Sequence, residues 1–95
     1  MTEKRVDPEV LVELLLAAFT AADFRQLFYY SGDTQLYSFV NEFSDFDGLS
    51  AMIAKVVPVA RKNPHIMEKL IEAVKKENPR QFERFESRLY VQDLE

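Results

Sequence analysis

Asn63-Pro64-His65-Ile66-Met67-Glu68-Lys69-Leu70-Ile71-Glu72-Ala73-Val74-Lys75-Lys76-Glu77-Asn78-Pro79 is the stretch from which the fold can be read. Ile66, Met67, Leu70, Ile71 and Val74 recur at i, i+1, i+4, i+5 and i+8, one continuous apolar stripe at the helical period, and the opposite face is charged. Proline is tolerated in a helix's first turn, and asparagine accepts hydrogen bonds from that turn's free N–H groups. Each Asn-Pro pair therefore reads as N-cap and N1. One helix starts near Pro64 and another near Pro79. A residue before proline is pushed out of the helical region, so Asn78 also ends the helix behind it. Two helices meet there at a sharp, nearly loopless corner.

The same grammar extends to the rest of the chain. Asp7-Pro8 opens a first helix to about Ala18, with Val10, Leu11, Leu14, Leu15 and Ala18 inward. Val12, Leu16 and Phe19 occupy its other faces, so this helix is expected to be central. Thr20-Ala21-Ala22-Asp23 resembles a capping box and starts a second helix carrying Phe24, Leu27 and Phe28, which Ser31-Gly32 ends. Asp33 caps a short third helix in which Leu36, Phe39, Val40 and Phe43 share a face. Ser44-Asp45-Phe46-Asp47-Gly48 is a solvent-facing loop. A fourth helix runs from about Leu49 to Lys62 with Met52, Ile53, Val56, Val57 and Ala60 inward, and Pro58 within it predicts a kink or break near Ala54 to Val57. The sixth runs from Pro79 to about Tyr90, with Phe82, Phe85 and Leu89 inward.

Short connections favour antiparallel neighbours, so the expected architecture is all-α: a compact antiparallel six-helix bundle in one domain spanning residues 1–95. Its ordered core is about 8–90, the ends 1–6 and 91–95 are expected to fray, and the terminal Leu94-Glu95 reads as a cloning scar. No strand pattern competes.

Composition narrows the chemistry. Cysteine is absent, which removes disulfides and thiolate chemistry and fits a reducing compartment. No run approaches the ~18 apolar residues of a membrane span, and Met1 to Arg5 lacks a signal peptide's apolar core, so a cytoplasmic protein without membrane contact is expected. The single histidine, His65, lies at a helix start without a cysteine or a placed serine beside it. No serine sits in a G-x-S-x-G context, and Gly32 and Gly48 are too isolated to form a phosphate loop. Asp45-x-Asp47-Gly48 faintly resembles a calcium loop, but with Gly48 at the sixth position Phe43 and Ala54 would stand where carboxylates are required. No catalytic residue, cofactor site or metal site is expected.

A helix-turn-helix regulator is the alternative, because Phe24 to Phe43 holds two short helices around a Ser-Gly-Asp turn. Its recognition helix would expose Gln35, Tyr37, Ser38, Asn41 and Glu42 without one lysine or arginine, and a sequence pI near 5.0 argues the same way against nucleic acid. Arg80, Arg84 and Arg88 form a basic stripe on the sixth helix, interleaved with Glu83 and Glu86.

Charge is uneven along the chain. Residues 1–50 carry nine acids against three bases, whereas residues 51–95 carry nine bases against seven acids. Such asymmetry reads either as solvated helix faces or as a molecule with an acidic and a basic side, suited to stacking head to tail. Nine of the twelve aromatic residues fall within residues 19–46. Tyr29 or Tyr30, Tyr37 and Phe46 do not all fit inward; they are either core-edge residues or interface anchors.

Leu14-Leu15-x-x-Ala18-Phe19, then Phe24-Arg25-x-Leu27, then Leu70-Ile71-x-x-Val74-Lys75-x-x-Asn78-Pro79-Arg80-Gln81-Phe82 carry a family likeness running from about Val10 to Phe85. In them the chain resembles the bacterial death-like, or effector-associated, domains, which are similar to the caspase-recruitment and death domains of animals. Pro58 and the acidic Asp45-Phe46-Asp47 loop depart from the pattern. The resemblance implies a death fold and a non-enzymatic homotypic interaction module of bacterial immunity or conflict signalling. Its partner would be a like domain on a protease, an oligomerisation ATPase or a TIR-type effector, or a second copy of itself. It also implies three asymmetric contacts: the first and fourth helices with the second and third, the fourth helix and its following turn with the fifth–sixth corner, and the third helix with neighbouring loops. Glu9, Glu13, Asp45 and Asp47 would then supply acid, and Arg25, Arg61, Lys62, Arg80 and Arg84 base.

Overall fold

Capping side chains set where five of the six helices begin. In the computed structural model, which describes residues 4–92, Asp7 Oδ1 accepts from the N–H groups of Glu9 and Val10, and α1 runs Pro8–Ala18. Thr20 Oγ1 accepts from Asp23 N–H at 3.1 Å to start α2, Ala21–Tyr29. Asp33 Oδ1 accepts from Gln35 and Leu36 for α3, Thr34–Tyr37, and Asn63 Oδ1 from His65 and Ile66 for α5, Pro64–Glu77. Each such cap typically contributes about 1 kcal/mol, because it satisfies donors that the helix itself leaves unpaired. Gly32, at φ +72°, makes the left-handed turn between α2 and α3.

The result is an all-α six-helix bundle. α3 is shorter than the spacing suggested, a single turn at Thr34–Tyr37 that tightens into a 3₁₀ segment at Ser38–Asn41. The tighter winding still buries Leu36, Phe39 and Phe43.

α4 runs Leu49–Ala60 without a break at Pro58. The proline leaves the carbonyl of Ala54 without its helical donor, but Ala54 and Pro58 both lie on the exposed face, where water can serve that carbonyl. The expected break near Ala54 to Val57 therefore does not occur. α4 ends at Ala60, before Lys62, in a turn where the N–H groups of Arg61 and Lys62 bond the carbonyls of Val57 and Val59.

Asn78 alone separates α5 from α6, Pro79–Leu89. Its N–H closes α5 on Val74 O at 2.8 Å, its Oδ1 caps α6 at Gln81 N–H, and its Nδ2 donates to Ala18 O, one of the carbonyls left over at the end of α1. At the far end, Asp7 N–H donates to Leu89 O at 2.8 Å. These two links pin α1 antiparallel to α6, end against end.

The second link continues into a feature that the sequence reading missed. β1, Lys4–Val6, pairs antiparallel with β2, Tyr90–Gln92, in the register Arg5 with Val91 and Val6 with Tyr90. The expected fraying of residues 4–6 and 91–92 is thus corrected: three backbone pairs seal the two ends of the chain together. Residues 1–3 and 93–95, with the suggested scar at Leu94-Glu95, lie outside the described residues.

The core has an aliphatic part and an aromatic part. Leu11, Leu14, Leu15, Met52, Ile53, Val56, Leu70 and Val74 are buried between α1, α4 and α5. Phe28 sits among Phe24, Phe39 and Phe43, with ring centroids 5.0 to 5.6 Å away and steep interplanar angles. Edge-to-face pairs of this kind contribute about 0.5–1.5 kcal/mol each beyond burial. α1 packs against α4, α5 and α6, which makes it central, yet Leu16 on its outer side is 43% exposed. Among the described residues no polar or charged side chain is buried.

Candidate functional site

Residues 42–48 form a loop held from two helices. Arg25, on α2, donates through Nη2 to the carbonyls of Ser44 and Asp47 at 3.1 and 3.2 Å. Lys55, on α4, donates to Glu42 O at 2.8 Å and pairs with Asp47 Oδ2 at 2.6 Å. Within the loop, Asp47 Oδ2 accepts from Ser44 N–H, Ser44 O accepts from Asp47 N–H, and Ser44 Oγ accepts from Phe46 N–H. The hydrogen bond from Lys55 holds the Asp47 carboxyl below its ordinary value of 3.8. Phe46, at the tip of this network, is 97% exposed.

Arg25 and Asp47, expected as interface charges, are thus brought together inside one molecule and serve as fasteners. Asp45 stays exposed beside Phe46, and so does Glu42. Neither carboxylate makes an ion pair among the described residues.

A second aromatic group lies at the end of α2. Tyr29 contacts Tyr30 at 4.9 Å and Tyr37 at 5.9 Å between centroids, and all three are exposed. Core-edge packing therefore does not absorb these rings.

Glu9 and Glu13 are exposed one turn apart on α1, and Arg80 and Arg84 likewise on α6. Because α1 and α6 are neighbours, these acids and bases stand on adjacent helices, and the charge asymmetry along the chain does not become two opposed sides there. It survives along α4 instead. The acidic loop precedes that helix, and Arg61 and Lys62 follow it, exposed and without an ion pair among the described residues.

His65 is exposed and yet engaged: its Nε2 lies 2.5 Å from Asp33 Oδ2, while Asn63 Nδ2 donates to Gln35 Oε1 at 2.8 Å. These contacts clasp the start of α5 to α3. The bond from His65 holds the Asp33 carboxyl below its ordinary 3.8. The sequence carried no signal for the pairing, since the partners lie 32 residues apart.

Two grooves of similar size indent the surface. One, about 590 Å³, runs between α2 and α5 over Phe19, Leu27 and Ala73, with Asp23, Lys69, Glu72, Lys76 and Glu77 around it. The other, about 610 Å³, lies between the strand pair and the α4–α5 turn; Val6, Ala60, Met67 and Val91 are among its walls, with Arg5 and Arg61 at its edge. The second depends on the strand pair, so sequence reasoning could not have found it.

As a helix-turn-helix, the α2–α3 pair offers only one four-residue turn where a groove-reading helix would have to lie. No helix among the described residues is long and apolar enough to cross a membrane, and no three of their His, Asp or Glu side chains converge as a metal cage would require. A scan against protein-family models and searches of curated proteins and of solved structures return no match.

Proposed function

We propose that this domain is a non-enzymatic, homotypic protein-interaction module, a death-fold-like unit that couples a sensor to an effector in bacterial immunity or conflict signalling by pairing with a like domain. Phe46 is the observation that carries this reading. Burying a phenylalanine side chain is worth about 1.5–3 kcal/mol, and a slack loop could fold that ring back onto the protein. Here Arg25, Lys55 and Asp47 hold the loop in a shape that keeps the ring in water. An apolar side chain held out by a rigid support is what an interface anchor requires, because little conformational freedom remains to be lost on docking. The exposed Tyr29, Tyr30 and Tyr37 supply further aromatic area, and the charges at the two ends of α4 supply orientation.

Reversing charge tests the reading. The pair Arg61→Glu with Lys62→Glu, or the pair Arg80→Glu with Arg84→Glu, should weaken association at least tenfold while the far-ultraviolet circular dichroism stays that of the wild type, since all four side chains are exposed. Wild-type association in both double variants would contradict a charge-guided module.

A further inference from the structure

Resting on the homotypic reading, we infer that the groove between the strand pair and the α4–α5 turn is the receptor for Phe46 of a second copy of this chain, so that copies join head to tail. Three observations carry this.

The first is complementarity of shape and character. The groove has an apolar interior lined by Val6, Ala60, Met67 and Val91 and a volume of about 610 Å³, within the range of small-ligand pockets. The pinned loop presents one bare phenyl ring.

The second is charge. Asp45 adjoins Phe46 and Glu42 begins the same loop, both as exposed carboxylates, while Arg61 lines the groove as an exposed cation and Lys62, also exposed, follows it in the chain. Asp7, the one acid among the described residues lining the groove, directs its Oδ1 to the N–H groups that begin α1. The groove between α2 and α5 is a poorer receptor. Three carboxylates, Asp23, Glu72 and Glu77, stand around it against two lysines, and Lys69 already lies 3.9 Å from Glu72, so an acidic loop would be repelled there.

The third is position. Phe46 precedes α4 and the groove lies at that helix's far end, and twelve residues at about 1.5 Å rise separate them by roughly 18 Å. The loop is fastened at its own end, so Phe46 cannot reach the groove of its own molecule. A knob and a hole at opposite ends of one rigid helix make a heterologous contact, which propagates into rings or open chains.

Two variants and their mixture test this. Phe46→Ala removes the knob, and Val91→Glu places a carboxylate in the hole at a position already 40% exposed, so both should fold as the wild type does. Light scattering behind size exclusion should show wild-type mass growing with concentration, each variant staying monomeric, and their equimolar mixture forming a dimer that grows no further. The mixture can make one contact, between the intact Phe46 of one variant and the intact groove of the other. Growth of Phe46→Ala equal to the wild type would overturn the inference and leave homotypic association to other surfaces. A monomeric mixture of two monomeric variants would equally overturn the pairing of this knob with this hole. A wild type that never associates would overturn both the inference and the homotypic reading it rests on.

Discussion

The α5–α6 corner and the 42–48 loop are both sharp turns, yet they are stabilised in opposite ways. At the corner, one residue ends a helix and caps the next through bonds to near neighbours in the chain, and adds a single long-range bond to the end of α1. In the loop, the short-range bonds of Ser44 and Asp47 are reinforced by Arg25 and Lys55, which arrive from two other helices. The corner serves the core, since Leu70, Val74 and Phe82 on either side of it are buried. The loop serves display. A turn that maintains a fold can be local, whereas a turn that holds an apolar residue in water needs external support.

Substitutions separate the two kinds of turn, and the largest effects belong to the corner's helices. Leu70→Asp, which places a carboxylate at a fully buried site, should unfold the domain, with a loss of roughly 3–5 kcal/mol seen in a urea titration. A folded Leu70→Asp variant would show that α5 is peripheral. Asn78→Ala removes a cap and the link to Ala18 O, and should cost about 1–2 kcal/mol by the same titration. Arg25→Met should lower global stability by less than about 1 kcal/mol, yet raise amide hydrogen exchange at Ser44 to Asp47, because it releases the loop while sparing the core. Unchanged exchange there would mean that Lys55 alone holds the loop.

Acid should act on the loop and on the α3–α5 clasp together. Asp47 and Asp33 titrate below their ordinary 3.8 in the folded protein, through Lys55 and His65 respectively. The unfolded chain therefore binds protons first as pH falls. Their contribution is present above about pH 4 and is lost as pH drops through the lowered folded values. Urea midpoints measured from pH 5 downward should decline, and Asp33→Asn should flatten the decline. The smallest effects are expected at exposed positions: Pro79→Ala and Phe46→Ala should each stay within about 0.5 kcal/mol of the wild type in the urea titration.

This contrast also explains what could be read from the sequence. Asp7, Thr20, Asp33, Asn63 and Asn78 act on N–H groups two or three residues away, so their roles follow from neighbours in the chain, and with them five of the six helix starts and most of the core; α4 begins after Gly48 without a side-chain cap. Pro58 does not break α4, because the consequence of its missing donor depends on which face Ala54 presents, and that is settled by packing. β1 and β2 are three residues each and acquire meaning only when α1 and α6 bring the two ends of the chain together. Arg25 and Asp47 were legible as charges, but their use as fasteners required the spacing of α2, α4 and the loop. Phe46 was legible as an aromatic residue in an acidic loop, and its display became visible only with the network beneath it.

The most direct test of the central claim is the molar mass of the wild-type domain by light scattering, across concentration at low and high salt. Charge-guided homotypic association predicts a mass that climbs above the 11.1 kDa monomer with concentration at low salt and falls back as salt screens Glu42 and Asp45 from Arg61 and Lys62. A mass of 11.1 kDa at every concentration and salt would contradict it.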